Sequence, residues 1–112
     1  MECNVKSELN GSQLTIMIEG EIDHHSARGL RQKIDELLYY YRPGKVALDL
    51  SSVTFMDSSG LGLILGRFTL ARELGGELRV VDPNESVSKI LDLAGTSRLI
   101  RIEKTTVKGT SK

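Results

Sequence analysis

A chain of 112 residues is long enough to bury one sizeable core and too short for two, so a single domain over residues 1–112 is expected. Its 15 Lys and Arg balance 15 Asp and Glu, which leaves out the basic surface expected of a nucleic-acid binder or a polybasic membrane binder. The single cysteine, Cys3, cannot form an internal disulfide and suits a reducing compartment.

The opening stretch "MECNVKSELN" carries Glu2, Lys6 and Glu8 where a secretory signal needs an apolar core. The longest apolar run, Leu61 to Leu65, falls far short of the roughly 20 residues that span a bilayer. A soluble, cytoplasmic protein is expected. In "QLTIMIEG" the alternation of Leu14, Ile16 and Ile18 reads as a strand, the preceding "CNVKSEL" is a weaker one, and Asn10 to Ser12 supply a hairpin turn.

From Ala27 the apolar positions become Ala27, Leu30, Ile34, Leu37, Leu38 and Tyr41, the spacing of an amphipathic helix with Asp23 as its N-cap and Pro43-Gly44 as its stop. "KVALDL" reads as a short buried strand. A second helix is expected from about Ser58 to Leu74, closed by Gly75-Gly76, with Leu61, Ile64, Leu65 and Phe68 facing the sheet. "ELRVV" is the next strand, Asp82-Pro83-Asn84 opens a helix carrying Val87, Ile90, Leu91 and Ala94, and "RLIRI" is the last strand. The order β-β-α-β-α-β-α-β implies an α/β fold with a mixed, mostly parallel sheet of four to five strands and right-handed crossovers. Residues 104–112 read as a flexible or short helical tail.

The stretch "FMDSSGLGLILG", Phe55 to Gly66, carries the chemistry to be tested. Its glycines at 60, 62 and 66 miss the dinucleotide fingerprint, which needs a glycine where Leu65 stands, and no Gly-Lys-Ser/Thr follows to make a P-loop. A hydrolase built on Ser58 lacks the nucleophile elbow, because Met56 and Asp57 precede the serine. His24 and His25 cannot share a helical face, so at most one could join Asp23 as a metal ligand.

Two readings stay open for the second helix. Gly62 and Gly66, one turn apart, each cost roughly 1 kcal/mol in a helix and so imply close approach, either by another element of the domain or by a partner on an exposed apolar face. Asp57, Ser58 and Ser59 are three capping residues where one suffices, so the serines either merely cap or leave a hydroxyl free for regulation. A phosphate there would lie at a helix N-terminus, adding about −1.5 to −2 charges without a need to unfold anything.

"FMDSSGLGLILGR" and "GEIDHHSA" together resemble the bacterial anti-sigma factor antagonists, single-domain members of the STAS fold, and within them the antagonists of the anti-sigma-F factor that act in endospore formation. The resemblance runs from about Val5 to Ile102. It implies a protein that binds an anti-sigma factor, itself a serine kinase, and so frees a sporulation sigma factor. It further implies that the kinase uses ATP to phosphorylate Ser58, that the phosphorylated form binds poorly, and that a PP2C-type serine phosphatase regenerates it. In this picture the chain is a substrate and switch, not a catalyst, with no cofactor or metal of its own and a monomer when free. Asp23, Asp57, Ser59, Leu61 and Gly62 take the partner-binding positions. A stress-response sigma-factor relay with a different kinase is the alternative role. The fourth helix common in the family is not supported by "EKTTVKGTSK", which is β-branched and nearly without an apolar face.

Overall fold

The computed structural model describes residues 3–105. β1 (Asn4–Asn10) and β2 (Gln13–Ile22) form the opening hairpin, closed by Gly11 and Ser12, with Gly11 at a positive φ of 64°. That conformation at the first loop position fits a two-residue hairpin connection and costs glycine little. α1 (His24–Tyr41), β3 (Lys45–Met56), α2 (Ser58–Glu73), β4 (Glu77–Val81), α3 (Glu85–Leu93) and β5 (Ile102–Glu103) follow. The five strands lie in the order β1-β2-β3-β4-β5, antiparallel for the first pair and parallel for the rest, as the alternating pattern predicts.

The core joins Leu14, Ile16, Ile18 and Ile22 of β2 and Val46, Leu48 and Leu50 of β3 to Leu30, Ile34 and Leu38 of α1 and Ile64 of α2. α1 and α2 pack side by side on the sheet. Arg67 of α2 is only 7% exposed, and its Nε meets Asp35 Oδ1 of α1 at 2.6 Å. Burial pulls the Arg67 pKa down while the Asp35 carboxylate opposes that shift, and Arg67 Nη1 also donates to the Leu63 carbonyl at 3.4 Å.

Four expectations need correction. The strand expected at "KVALDL" continues to Met56, because Val53 and Met56 are buried and β2 stays paired with it across register shifts between Met17 and Glu19 and between Gly20 and Glu21. The stretch "RLIRI" is not a strand throughout: Thr96–Arg98 form a short 3₁₀ turn, Ile100 is buried, and β5 keeps only Ile102–Glu103. The buried stripe of α2 comprises Gly60, Leu63, Ile64, Arg67, Phe68 and Ala71, whereas Leu61 and Leu65 are half-buried at its margin. Tyr41, expected on the buried face of α1, is 40% exposed at the helix end. The expected tail falls outside the described residues beyond Thr105. Thr105 itself is tied down, donating from its N–H to Asp82 Oδ1 at 2.7 Å and from its hydroxyl to Oδ2 at 2.5 Å.

Candidate functional site

Ile22 and Met56 are register partners at the carboxyl ends of two adjacent parallel strands. Each is followed by an aspartate that caps a helix, and the Asp57 N–H donates to the Ile22 carbonyl at 3.1 Å. The two helix starts therefore stand side by side at one end of the sheet, where open α/β sheets carry their sites.

Asp23 accepts from the N–H groups of His25 (3.0 Å) and Ser26 (2.9 Å), while the Ser26 hydroxyl accepts from the Asp23 N–H at 3.1 Å. These bonds, the one from the Ser26 backbone foremost, hold the Asp23 carboxyl below the usual carboxylate range. Asp57 accepts from the Ser59 N–H at 2.8 Å. The cap of α2 is thus Asp57, which leaves both serines free of that task.

Ser58 is the first residue of α2 and is exposed, and among the described residues its hydroxyl makes no hydrogen bond. Among the described residues no side chain is hydrogen-bonded to it to take its proton, so the hydroxyl is accessible and not activated by them. Ser59 is half-buried behind it. Ser58, Leu61, Gly62 and Leu65 share one face of the helix by the three-and-four spacing, with Ser58 and Gly62 exposed and Leu61 and Leu65 half-buried at the margin of the stripe that meets the sheet.

The glycines divide into two kinds. A Cβ at Gly60 would overlap Met56 Cγ and come within 3.3 Å of Ile22 Cγ2, so Gly60 lets the helix start sit directly on the two strand ends. A Cβ at Gly62 or Gly66 would meet nothing within 4 Å. Close approach within the domain therefore explains Gly60 and does not explain Gly62 or Gly66.

The structure brings all six expected positions, Asp23, Asp57, Ser58, Ser59, Leu61 and Gly62, to this one end. Sequence reasoning passed over two neighbours. Phe55 is 48% exposed just before the motif, where the alternation of β3 breaks and two consecutive side chains, Thr54 and Phe55, face solvent. His24, His25, Arg28 and Arg31 wall a groove between α1 and α2 that is floored by Gly62, Leu63 and Gly66. That groove is a tertiary feature with no local signature. No group of three or more metal-ligating side chains occurs among the described residues, and none of their helices is long and apolar enough to cross a membrane.

The STAS domain family matches residues 4–109. The chain belongs to this family. It is 36% identical over 102 residues to an anti-sigma F factor antagonist of Paenibacillus polymyxa, covering 91% of this chain and 87% of that protein. An anti-sigma-B factor antagonist of Bacillus subtilis is 32% identical over 102 residues, covering 91% and 92%. Among solved structures, the anti-sigma factor antagonist SpoIIAA in its unphosphorylated form shares the fold at a TM-score of 0.76 and 24% identity, covering 97% of this STAS chain and all of the other. The phosphorylated form of SpoIIAA superposes at a TM-score of 0.69 and 24% identity, covering 94% and 96%. The α/β architecture expected from the sequence is therefore that of a STAS domain, and the two curated relatives above are named as antagonists of anti-sigma factors.

Proposed function

We propose that this STAS domain is an anti-sigma factor antagonist that acts as substrate and switch in the cytoplasm. Its unphosphorylated form binds an anti-sigma factor that is also a serine kinase and so releases sigma-F; phosphorylation of Ser58 ends that binding, and a PP2C-type phosphatase restores it. The observation that carries the proposal is the Ser58 hydroxyl, exposed and without a hydrogen bond among the described residues, at a helix start held by the neighbouring Asp57. A kinase can reach such a hydroxyl without unfolding the chain.

The partner surface is the face of Ser58, Leu61 and Gly62 with Asp23, Asp57 and Ser59 around it. A phosphate on Ser58 would find the Ser59 N–H already bonded to the Asp57 side chain and the Gly60 N–H bonded to the Asp57 carbonyl at 2.9 Å. It would therefore add its charge to a surface already carrying two carboxylates, rather than be absorbed by the helix end. The relative named for anti-sigma-B supports the second reading, the same switch in a stress-response relay with another kinase.

Incubation with candidate anti-sigma kinases and ATP, followed by intact mass, tests both readings. The cognate kinase should give a stoichiometric phosphoserine that is missing in Ser58→Ala; phosphate on another residue, or none with any candidate, would overturn the assignment. Gly62 offers a separate test. Gly62→Ala should raise stability by up to about 1 kcal/mol, because the new methyl has open space and the helix loses a glycine. Gly62→Leu should fold equally well yet weaken partner binding severalfold in calorimetry. Unchanged binding would remove Gly62 from the interface.

A further inference from the structure

The groove between α1 and α2 gathers positive charge in a chain whose charges otherwise cancel. His24, Arg28 and Arg31 follow one another at four- and three-residue spacing, so they form a row along one side of α1, with His25 beside it. All four are exposed. Arg28 makes no ion pair or hydrogen bond among the described residues, and Arg31 lies a loose 3.9 Å from Asp35. No carboxylate among the described residues lines the groove.

The inner end of the groove supplies donors as well. Arg67 is 7% exposed and still lines it. Its Nε is taken by Asp35 and Nη1 donates to the Leu63 carbonyl, which leaves further guanidinium N–H groups without a partner among the described residues. The floor is made of Gly62, Leu63 and Gly66, and a Cβ at either glycine would meet nothing within 4 Å. Glycine inside a helix is unfavourable relative to alanine, yet none of the described residues fills the space these two leave. A polypeptide backbone can lie directly on such a floor, and a side chain at 62 or 66 would hold it away.

We propose that this groove seats an extended acidic segment of the anti-sigma partner, its backbone passing over Gly62 and Gly66 and its carboxylates meeting Arg28, Arg31 and the free donors of Arg67. The identity of the partner rests on the function proposed above, whereas the chemistry of the segment rests on the groove alone. The open volume is about 770 Å³, far more than one phosphate or carboxylate fills. The row from His24 to Arg31 rises about 10 Å, which matches about three residues of extended chain. Alternate side chains of such a segment point the same way, so acidic residues at every second position would all turn toward α1. Arginine–carboxylate pairs are among the stronger hydrogen bonds, and the donors here are already in place. Ser59 lines the same groove, so the segment would end beside Ser58 and hold the partner with that hydroxyl in reach.

A nuclear magnetic resonance titration of the nitrogen-15-labelled full chain tests the groove without any kinase. The probe is an acetylated peptide of about eight residues that alternates glutamate and glycine. Its controls are the same peptide with glutamine for glutamate, and inorganic phosphate. At low salt the glutamate peptide should shift the Gly62 and Gly66 amide signals saturably, with a Kd of about 1 mM or tighter that weakens as ionic strength rises. Arg28→Glu should weaken it by at least about tenfold. Gly66→Leu should also weaken it severalfold although every cation remains, because the floor is then raised; the open space over Gly66 leaves the fold intact and keeps the test valid if Arg28→Glu folds poorly. The absence of a saturable shift at the two glycines, equal binding by the glutamine peptide, or wild-type affinity in either variant would overturn the proposal. Phosphate binding as tightly as the peptide would overturn it too, by making the groove a site for a small anion only. A chain that no kinase modifies can still bind the peptide, and a chain that ignores the peptide can still be phosphorylated on Ser58, so the two readings fall separately.

Discussion

Ser58→Asp is expected to bind the proposed partner, an anti-sigma factor kinase, at least tenfold more weakly than the wild type, a loss of about 1.4 kcal/mol, with far-UV circular dichroism unchanged. The physical argument has two parts. The Ser58 side chain is exposed and makes no hydrogen bond within the described residues, so replacing it withdraws nothing from the fold. Aspartate is also favoured in the first turn of a helix. The new charge then stands beside Asp57 and near the start of α1 with Asp23, and a partner that docks on Leu61 and Gly62 must desolvate it. Surface plasmon resonance against the purified kinase reads the change directly. Equal affinity would sink the charge-switch account, and a lost helical signal would show that the serine has a structural role.

The second large effect lies in the contact between the two helices. Asp35→Ala should cost about 3 kcal/mol in urea unfolding, because it leaves the Arg67 guanidinium buried without its partner. Arg67→Met should cost clearly less, since it removes the buried charge and keeps the apolar stem that packs in the core. The double variant should then cost less than Asp35→Ala alone. Asp35 is 25% exposed and also lies 3.9 Å from the exposed Arg31, so water has some access and the low end of the range for buried pairs applies. A cost below about 1 kcal/mol for Asp35→Ala would mean that Arg67 swings out to solvent. This pair holds α2 in register against α1, and through it the Ser58 and Gly62 face keeps its place beside Asp23.

Features that depend on short-range patterns were legible from the residues. The hairpin follows from alternation and a turn, and the N-cap Asp23 follows from capping chemistry; for the later helices the residues point only to a cap among Asp57, Ser58 and Ser59 and to an opening at Asp82-Pro83-Asn84, and the structure assigns the caps to Asp57 and Asn84. What tertiary structure decides was not. α2 is apolar on more than one side, so periodicity placed its buried face one position off, and the burial of Arg67 depends on an aspartate 32 residues earlier in another helix. The continuation of β3 through the polar Ser51 and Ser52 depends on β2 following it past two register shifts. The proposed site residues come from a motif, but the reason Gly60 and Gly62 differ, one pressed against strand ends and the other facing open space, exists only in three dimensions.

If Ser58 is the proposed switch, the lack of a hydrogen bond to its hydroxyl among the described residues bears on how long each form survives. Proteolysis of a small domain samples its opened states, whose population is set by folding stability. Modifying a side chain that makes no hydrogen bond in the fold withdraws no contact, so the chain's opening changes only by what the added charge contributes at the helix start. Both forms should then resist a nonspecific protease to a similar degree, and one pool of molecules could serve repeated rounds of modification without being resynthesised.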